Sequence, residues 1–208
     1  ALGVRWARDL GSDDYNLPDY WDGKPGGKRW TYYRLASASH SVPLLDGADQ
    51  DHAAAAKLLK FRSAPKEGCA VIDLTEAYRA PASRAQRGVA LTAGRKAVLV
   101  QDEFDLTRAC EVTWAMTTDA AIELGPDGAA TLTLKGKRLL ARVLSPAGAG
   151  FAVASAERKP PEKPNAGVRR LLVRLPGQRG AVRVAVLLVP ADDGEKTPDV
   201  PLRPLAEW

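Results

Sequence analysis

The chain has 208 residues, 45% of them apolar and 26% charged, enough for one large domain or two small ones with a full core. No apolar run is long enough to cross a bilayer as a helix, so a helical membrane span is excluded. The net charge of +5 and a pI near 9.3 favour an anionic partner, yet the 30 basic residues are spread among 25 acidic ones, and the interleaved basic and aromatic residues of a nucleic-acid-binding module are missing.

In chain order, "ALGVRWARDLG" is neither a signal nor a transit peptide. Leu2, Val4 and Trp6 alternate with small or charged residues, which predicts one face of a strand. A chain that opens inside a strand is expected to be part of a longer one. Further strands are predicted at 29–37, 69–78, 84–91, 96–104, 110–118, 120–124, 129–134, 137–145, 151–158, 168–175 and 181–190. They are short runs of β-branched or aromatic residues, most of them bounded by Gly, Pro or Asp. "GPDG" (125–128) and "LKGK" (134–137) read as tight turns between neighbouring strands. The run "HAAAAKLLKF" (52–61) is the one rival signal, a helical turn or an irregular strand, because alanine favours helix. The densest basic stretch, 157–170, is interrupted by prolines and reads as a solvated loop. The tail 196–208 reads as an extended segment lying across a surface. No internal repeat is present. The expected fold is all-β, a single large antiparallel β-sandwich.

Cys69 and Cys110 stand alone, with no C-x-x-C, each at the start of an apolar run; a small core hydrophobe and a disulfide half both remain open. The chain has no P-loop, no dinucleotide fingerprint and no G-x-S-x-G elbow. Paired carboxylates in "GSDD" (11–14), "QDEFD" (101–105) and "ADD" (191–193) read as solvated turns. Of the two histidines, His52 lies in a polar turn and reads as exposed. His40 lies at a strand end or hairpin corner, where a structural hydrogen-bonded role, metal ligation and proton transfer are all open. Its chosen partner is Asp9, at the end of the first predicted strand. Two ligands do not close a zinc site, so a metal held by Asp9 and His40 needs a further ligand from outside this chain.

The order "RWARDLGSDDYNLPDYW…YYRLASASHSVPLLDGADQ", followed by "AVIDLTEAY", "SRAQRGVAL", "VLVQDEF", "VTWAMTTDA" and "PNAGV", resembles the C-terminal part of heparinase II/III-like proteins, a group of polysaccharide lyases, over roughly residues 3–190. The resemblance implies a two-part enzyme: an N-terminal α/α toroid with most of the catalytic residues, absent here, and a C-terminal sandwich closing over the cleft. It places Asp9 at the aspartate of a D-x-G turn and His40 at the histidine of an H-N-T-like motif. Both would then ligate zinc or another divalent metal, with one ligand before residue 1. Ser41 and Val42 stand where that motif has Asn and Thr, which leaves the local hydrogen bonding open.

The implied activity is β-elimination on a uronic-acid-containing polysaccharide, in the periplasm or outside the cell. No catalytic residue is expected in this chain, which would be inactive alone. Its partners would be an acidic polysaccharide and the toroid. Tyr15 and Arg34 are expected to face the sugar; a loop anchor for Tyr15 and an internal salt bridge for Arg34 are the competing readings. The alternative for the whole chain is a non-catalytic carbohydrate-binding or domain-stabilising module.

Overall fold

Two long strands, β5 (Ala97–Thr118) and β10 (Arg169–Ala191), pair antiparallel along nearly their whole lengths and organise everything else. They occur in a computed structural model that describes residues 1–191 and 197–208. The other strands are β1 (Leu44–Leu45), β2 (Lys57–Ala64), β3 (Glu67–Asp73), β4 (Ala82–Thr92), β6 (Ala121–Leu124), β7 (Ala129–Leu134), β8 (Lys137–Ser145) and β9 (Ala152–Ser155). Among the described residues the remaining regular structure is short 3₁₀ turns.

The sequence reading divides each long strand in two, at 105–109 and at 176–180. Instead the pairing continues through register shifts between Leu175 and Gln178 and between Gln178 and Gly180. On one side of this bulge Val182, Val184 and Val186 face the core; on the other, Leu171, Val173 and Leu175 do. The inward set thus changes from even to odd numbers. A strand alternates faces with period two, so the bulge is what lets both halves of β10 serve one core. Gly177 and Gly180, at φ +63° and +71°, occupy backbone that side chains rarely adopt.

The first half of the ribbon is extended to the order β2-β3-β4-β5-β10-β8-β7-β6, while β1 and β9 flank its other half. Residues from both halves, with Leu132 of β7 and Leu139, Ala141 and Val143 of β8, share one apolar cluster around Trp114 and Phe104. The result is an all-β antiparallel sandwich, as expected. The tight turns are also where they were predicted: Lys135 and Gly136, at φ +50° and +71°, make the two-residue β7–β8 loop. Cys69 and Cys110 are buried and free.

Four expectations are corrected. Residues 2–6 form no strand; Leu2 and Gly3 both have positive φ, and only Trp6 of the three apolar residues is buried. Residues 29–37 form 3₁₀ turns, because adjacent Tyr32 and Tyr33 are both buried, in different clusters, Tyr32 with Leu17 and Tyr20, Tyr33 with Leu10, Ala156 and Val168. In 52–61 only the irregular-strand reading survives, from Lys57 onward, with a register shift between Leu58 and Lys60. Two of the acidic stretches are not simply solvated turns, since Asp13, Asp102 and Glu103 are buried; the reading of 191–193 falls on Asp192 and Asp193, which lie outside the described residues.

The tail does lie across a surface. Val200, Leu202 and Trp208 cover Ala97, Leu99, Ala185, Leu187 and Val189 on the outer face of the sheet. It is pinned by Gln101 Nε2, which donates to the Arg203 carbonyl at 2.7 Å, and by Glu103 Oε1, which accepts from the Leu205 N–H at 3.2 Å. Gly88 makes this approach possible, since a Cβ there would lie 2.3 Å from Leu205 Cδ2 and 2.7 Å from the Trp208 ring. Gly88→Val is therefore expected to destabilise by about 1–3 kcal/mol despite valine's better strand propensity. Urea unfolding measures this, together with faster proteolysis of the tail; unchanged stability with a protected tail contradicts it.

Candidate functional site

The site starts from one β5 residue, Thr117. Its carbonyl accepts from the Arg8 N–H at 2.8 Å, its N–H donates to Ser41 Oγ at 3.1 Å, and its Oγ1 donates to the Ser39 carbonyl at 2.7 Å. One strand residue therefore holds both segments that flank the candidate pair. Arg8 is further tied by an ion pair with Asp119. On the other side, Arg87 Nη1 donates to the Ser41 carbonyl at 2.6 Å. Ser41 thus makes two hydrogen bonds, one through its side chain and one through its carbonyl.

Held this way, His40 Nδ1 lies 2.8 Å from Asp9 Oδ2, across 31 residues of sequence. The second carboxylate oxygen, Oδ1, accepts from the Gly11 N–H at 2.7 Å. Gly11 has φ +66°, so the glycine of "DLG" is what lets the turn close back on Asp9. That Gly11 N–H holds the Asp9 carboxyl below its usual value, reinforced by the charge and hydrogen bond of His40 and opposed by partial burial. Because the folded value is the lower one, the stability Asp9 contributes is present above the usual 3.8 and is lost as pH falls through the folded value. The stability difference between wild type and Asp9→Asn is expected to shrink as pH falls below about 4. Denaturant unfolding over that acid range checks it; a difference that stays constant or widens below about pH 4 contradicts it.

His40 borders a cleft of about 630 Å³, whose walls include Trp30, Leu35, Asp49, His52 and Leu74. Its floor is tied together by Asp49 Oδ1, which accepts from the Ser37 N–H at 2.6 Å, and by Ser37 Oγ, which accepts from the Gln50 N–H at 2.9 Å. His52 is exposed, as expected. It also stacks on the Trp30 indole, with ring centroids 4.3 Å apart and planes at 24°. Both histidines of the chain therefore line one cleft. Nothing in the sequence signalled the second, because a stack between residues 22 apart in two irregular loops has no periodicity.

Tyr15 is 57% exposed and lies beside Trp21, which is 69% exposed, at a centroid distance of 5.2 Å. The Arg29 guanidinium lies over Tyr20, Trp21 and Trp30, which joins this aromatic patch to the cleft wall. Arg34 has a different place from the one expected. Its Nε donates to Asn165 Oδ1 at 2.8 Å, and its Nη1 donates to the carbonyls of Leu10 and Ser12 at 2.8 and 3.0 Å. It ties the loop after Asp9 to the 165 turn through neutral acceptors, so neither the sugar-facing reading nor the internal salt bridge describes these contacts.

As a donor set for a cation, Asp9 and His40 supply one carboxylate and one imidazole whose Nε2 has no partner among the described residues. Among the described residues no group of three or more His, Cys, Asp or Glu side chains converges. A carboxylate bound to Nδ1 is the usual way to orient a metal-ligating imidazole, so the pair fits part of a coordination shell and falls short of a whole one.

No protein-family pattern and no curated protein sequence matches the chain. Solved structures do. A heparan sulfate lyase HepC mutant from Pedobacter heparinus superposes with a TM-score of 0.68 at 15% identity, covering 95% of this chain and 30% of that one. The heparinase III-BT4657 gene product with methylated lysines gives 0.67 at 14%, covering 91% and 28%. A heparinase III gives 0.61 at 11%, covering 79% and 26%. At these identities the likeness establishes the fold, and the chain spans less than a third of each of these proteins.

Proposed function

We propose that the chain is the β-sandwich part of a polysaccharide lyase that cleaves uronic-acid-containing polysaccharide by β-elimination, forming one wall of the substrate cleft and part of a metal site. The observation that carries this reading is the Asp9–His40 pair at 2.8 Å on the rim of a cleft. The sandwich around it is like those in heparan sulfate lyase and heparinase III structures. Those proteins are more than three times as long as the stretch matched, which supports a partner domain that supplies the opposite wall.

β-Elimination removes the C5 proton of a uronate and expels the O4 leaving group, so the sugar carboxylate must be neutralised as charge develops. His40 would hold zinc or another divalent ion through Nε2, with Asp9 orienting its imidazole and the remaining ligands coming from outside this chain, and such an ion would supply that neutralisation. The chain's own residues do the positioning. Asp9 fixes the imidazole through Nδ1 and leaves Nε2 directed by the pair, while Trp30 and His52 present a flat wall on which a sugar ring can lie. The +5 charge favours an acidic polymer, and a periplasmic or extracellular setting belongs to the same reading.

The exposed Tyr15 and Trp21 favour a second reading, a non-catalytic carbohydrate-binding module, since aromatic faces are good platforms for sugar rings. Titration of the chain with a glucuronate oligosaccharide, followed by NMR, separates the two. The cleft reading predicts shifts in the ring resonances of both His40 and His52. Movement confined to Tyr15 and Trp21 would replace it with the module.

A further inference from the structure

On the side of β10 that faces away from the core, Arg170 and Arg174 lie on either side of the buried Leu172, beneath the segment that carries Tyr33. Arg158, from the loop after β9, places its guanidinium carbon 3.5 Å from the centroid of the Tyr33 ring. Two cations, Arg158 and Arg170, therefore act on one phenol, and Arg174 adds a third positive charge beside Arg170. Among the described residues none of them forms an ion pair, although Arg8, Arg62, Arg84, Arg87, Arg108 and Arg183 all do. Arg158 donates only to the backbone carbonyl of its neighbour Glu157. Most telling, Arg170 Nε and Nη2 and the Tyr33 hydroxyl are all buried with no hydrogen-bond partner.

Buried polar groups are almost always satisfied, and a buried guanidinium without a counter-charge is among the costliest exceptions. Here the cost is compounded by like charge. Burial pulls the Arg170 pKa down, the Tyr33 phenol opposes this, and the neighbouring Arg174 and Arg158 charges pull it lower still. Burial also raises the Tyr33 phenol above its usual value, so the hydroxyl keeps its proton and can donate. Donors from two elements, an excess of positive charge and a missing acceptor describe the complement of one ligand type.

We infer that Arg158, Arg170 and Arg174, with the Tyr33 hydroxyl, form an oxyanion-binding site that takes a sulfate or carboxylate group. The planar fork of a guanidinium matches both groups bidentately. The site is separate from the His40 cleft, whose lining includes none of these four residues. It stands whether or not the chain belongs to a lyase, because its test uses small anions and no turnover.

The test is thermal unfolding in sodium sulfate and, separately, in sodium glucuronate, at constant ionic strength against sodium chloride. Ligand binding to the folded state raises Tm with a saturating dependence, whereas the general salting-in or exclusion effects of an anion do not saturate and are common to every variant. Wild type is expected to show a saturating rise with at least one of the two anions, and the one that saturates identifies the group. Arg174→Gln, exposed and so harmless to folding, is expected to weaken the half-saturating concentration about tenfold, and Arg170→Met to abolish saturation. Arg62→Gln, on β2, is expected to match wild type. A rise that saturates with neither anion overturns the site, and so does one that is equal in wild type and Arg174→Gln.

Discussion

Replacing Arg87 with methionine is expected to lower the stability of the chain by about 3–5 kcal/mol, the usual cost of stranding one member of a buried ion pair. Arg87 and Asp102 are direct cross-strand partners on β4 and β5. Their contact is bidentate, Nε to Oδ1 at 2.7 Å and Nη2 to Oδ2 at 2.8 Å. Burial alone would lower the Arg87 pKa, but the Asp102 charge and hydrogen bonds outweigh it and the net shift is upward. In the variant, Asp102, 1% exposed, is left buried without its partner, and the Ser41 carbonyl loses its donor. Urea unfolding reads the loss, and amide exchange at Thr117 reads the release of the His40 loop. Arg87→Met with Asp102→Leu is expected to recover most of the stability, because the double variant strands no charge. A single variant within about 1 kcal/mol of wild type contradicts the assignment.

The second large effect concerns metal. In the full-length protein, His40→Ala is expected to abolish binding of the divalent ion, and Asp9→Asn to weaken it about 10–100-fold, the range found when the group that orients a ligand is altered. Metal analysis after dialysis against a graded chelator measures both. The isolated chain, with one imidazole and the carboxylate that orients it, is expected to retain no ion under the same dialysis. Unchanged metal content in both variants removes His40 from the ligand set and Asp9 from orienting it.

Local pattern carried far in this chain where strands are short and turns are tight. The β7–β8 hairpin was legible to the residue, because alternation over 129–134 and 137–145 brackets a Lys-Gly turn. The two long strands were not, because Asp105, Arg108 and the Pro176-Gly177 step look like breakers, yet a bulge absorbs them and the ladder goes on. Residues 1–43 misled for a different reason. Their buried aromatics are held by tertiary clusters rather than by a period, and Tyr32 and Tyr33 side by side imitate a strand only when read without their neighbours. The charges of "QDEFD" read as a solvated turn because their partners, Arg84, Arg87 and Arg183, come from adjacent strands.

The candidate site divides along the same line. Asp9 and His40 were paired from the order of two short motifs, and the structure brings them to hydrogen-bonding distance. Thr117 and Arg87, which hold them there, lie more than 40 residues from His40, and only the fold brings them together. The reading of Arg34 rests on its place in the Tyr-Arg step and on its charge, and neither says where a guanidinium spends its hydrogen bonds.

We propose that this sandwich serves a β-eliminating enzyme. The most direct measurement is the ultraviolet absorbance of the unsaturated uronate formed when the full-length protein acts on a panel of uronic-acid polymers, compared with the same protein carrying His40→Ala. A steady rise on at least one polymer is expected, with most of that rise lost in the variant. No rise on any uronate polymer, from folded protein that still binds one of them, would contradict it.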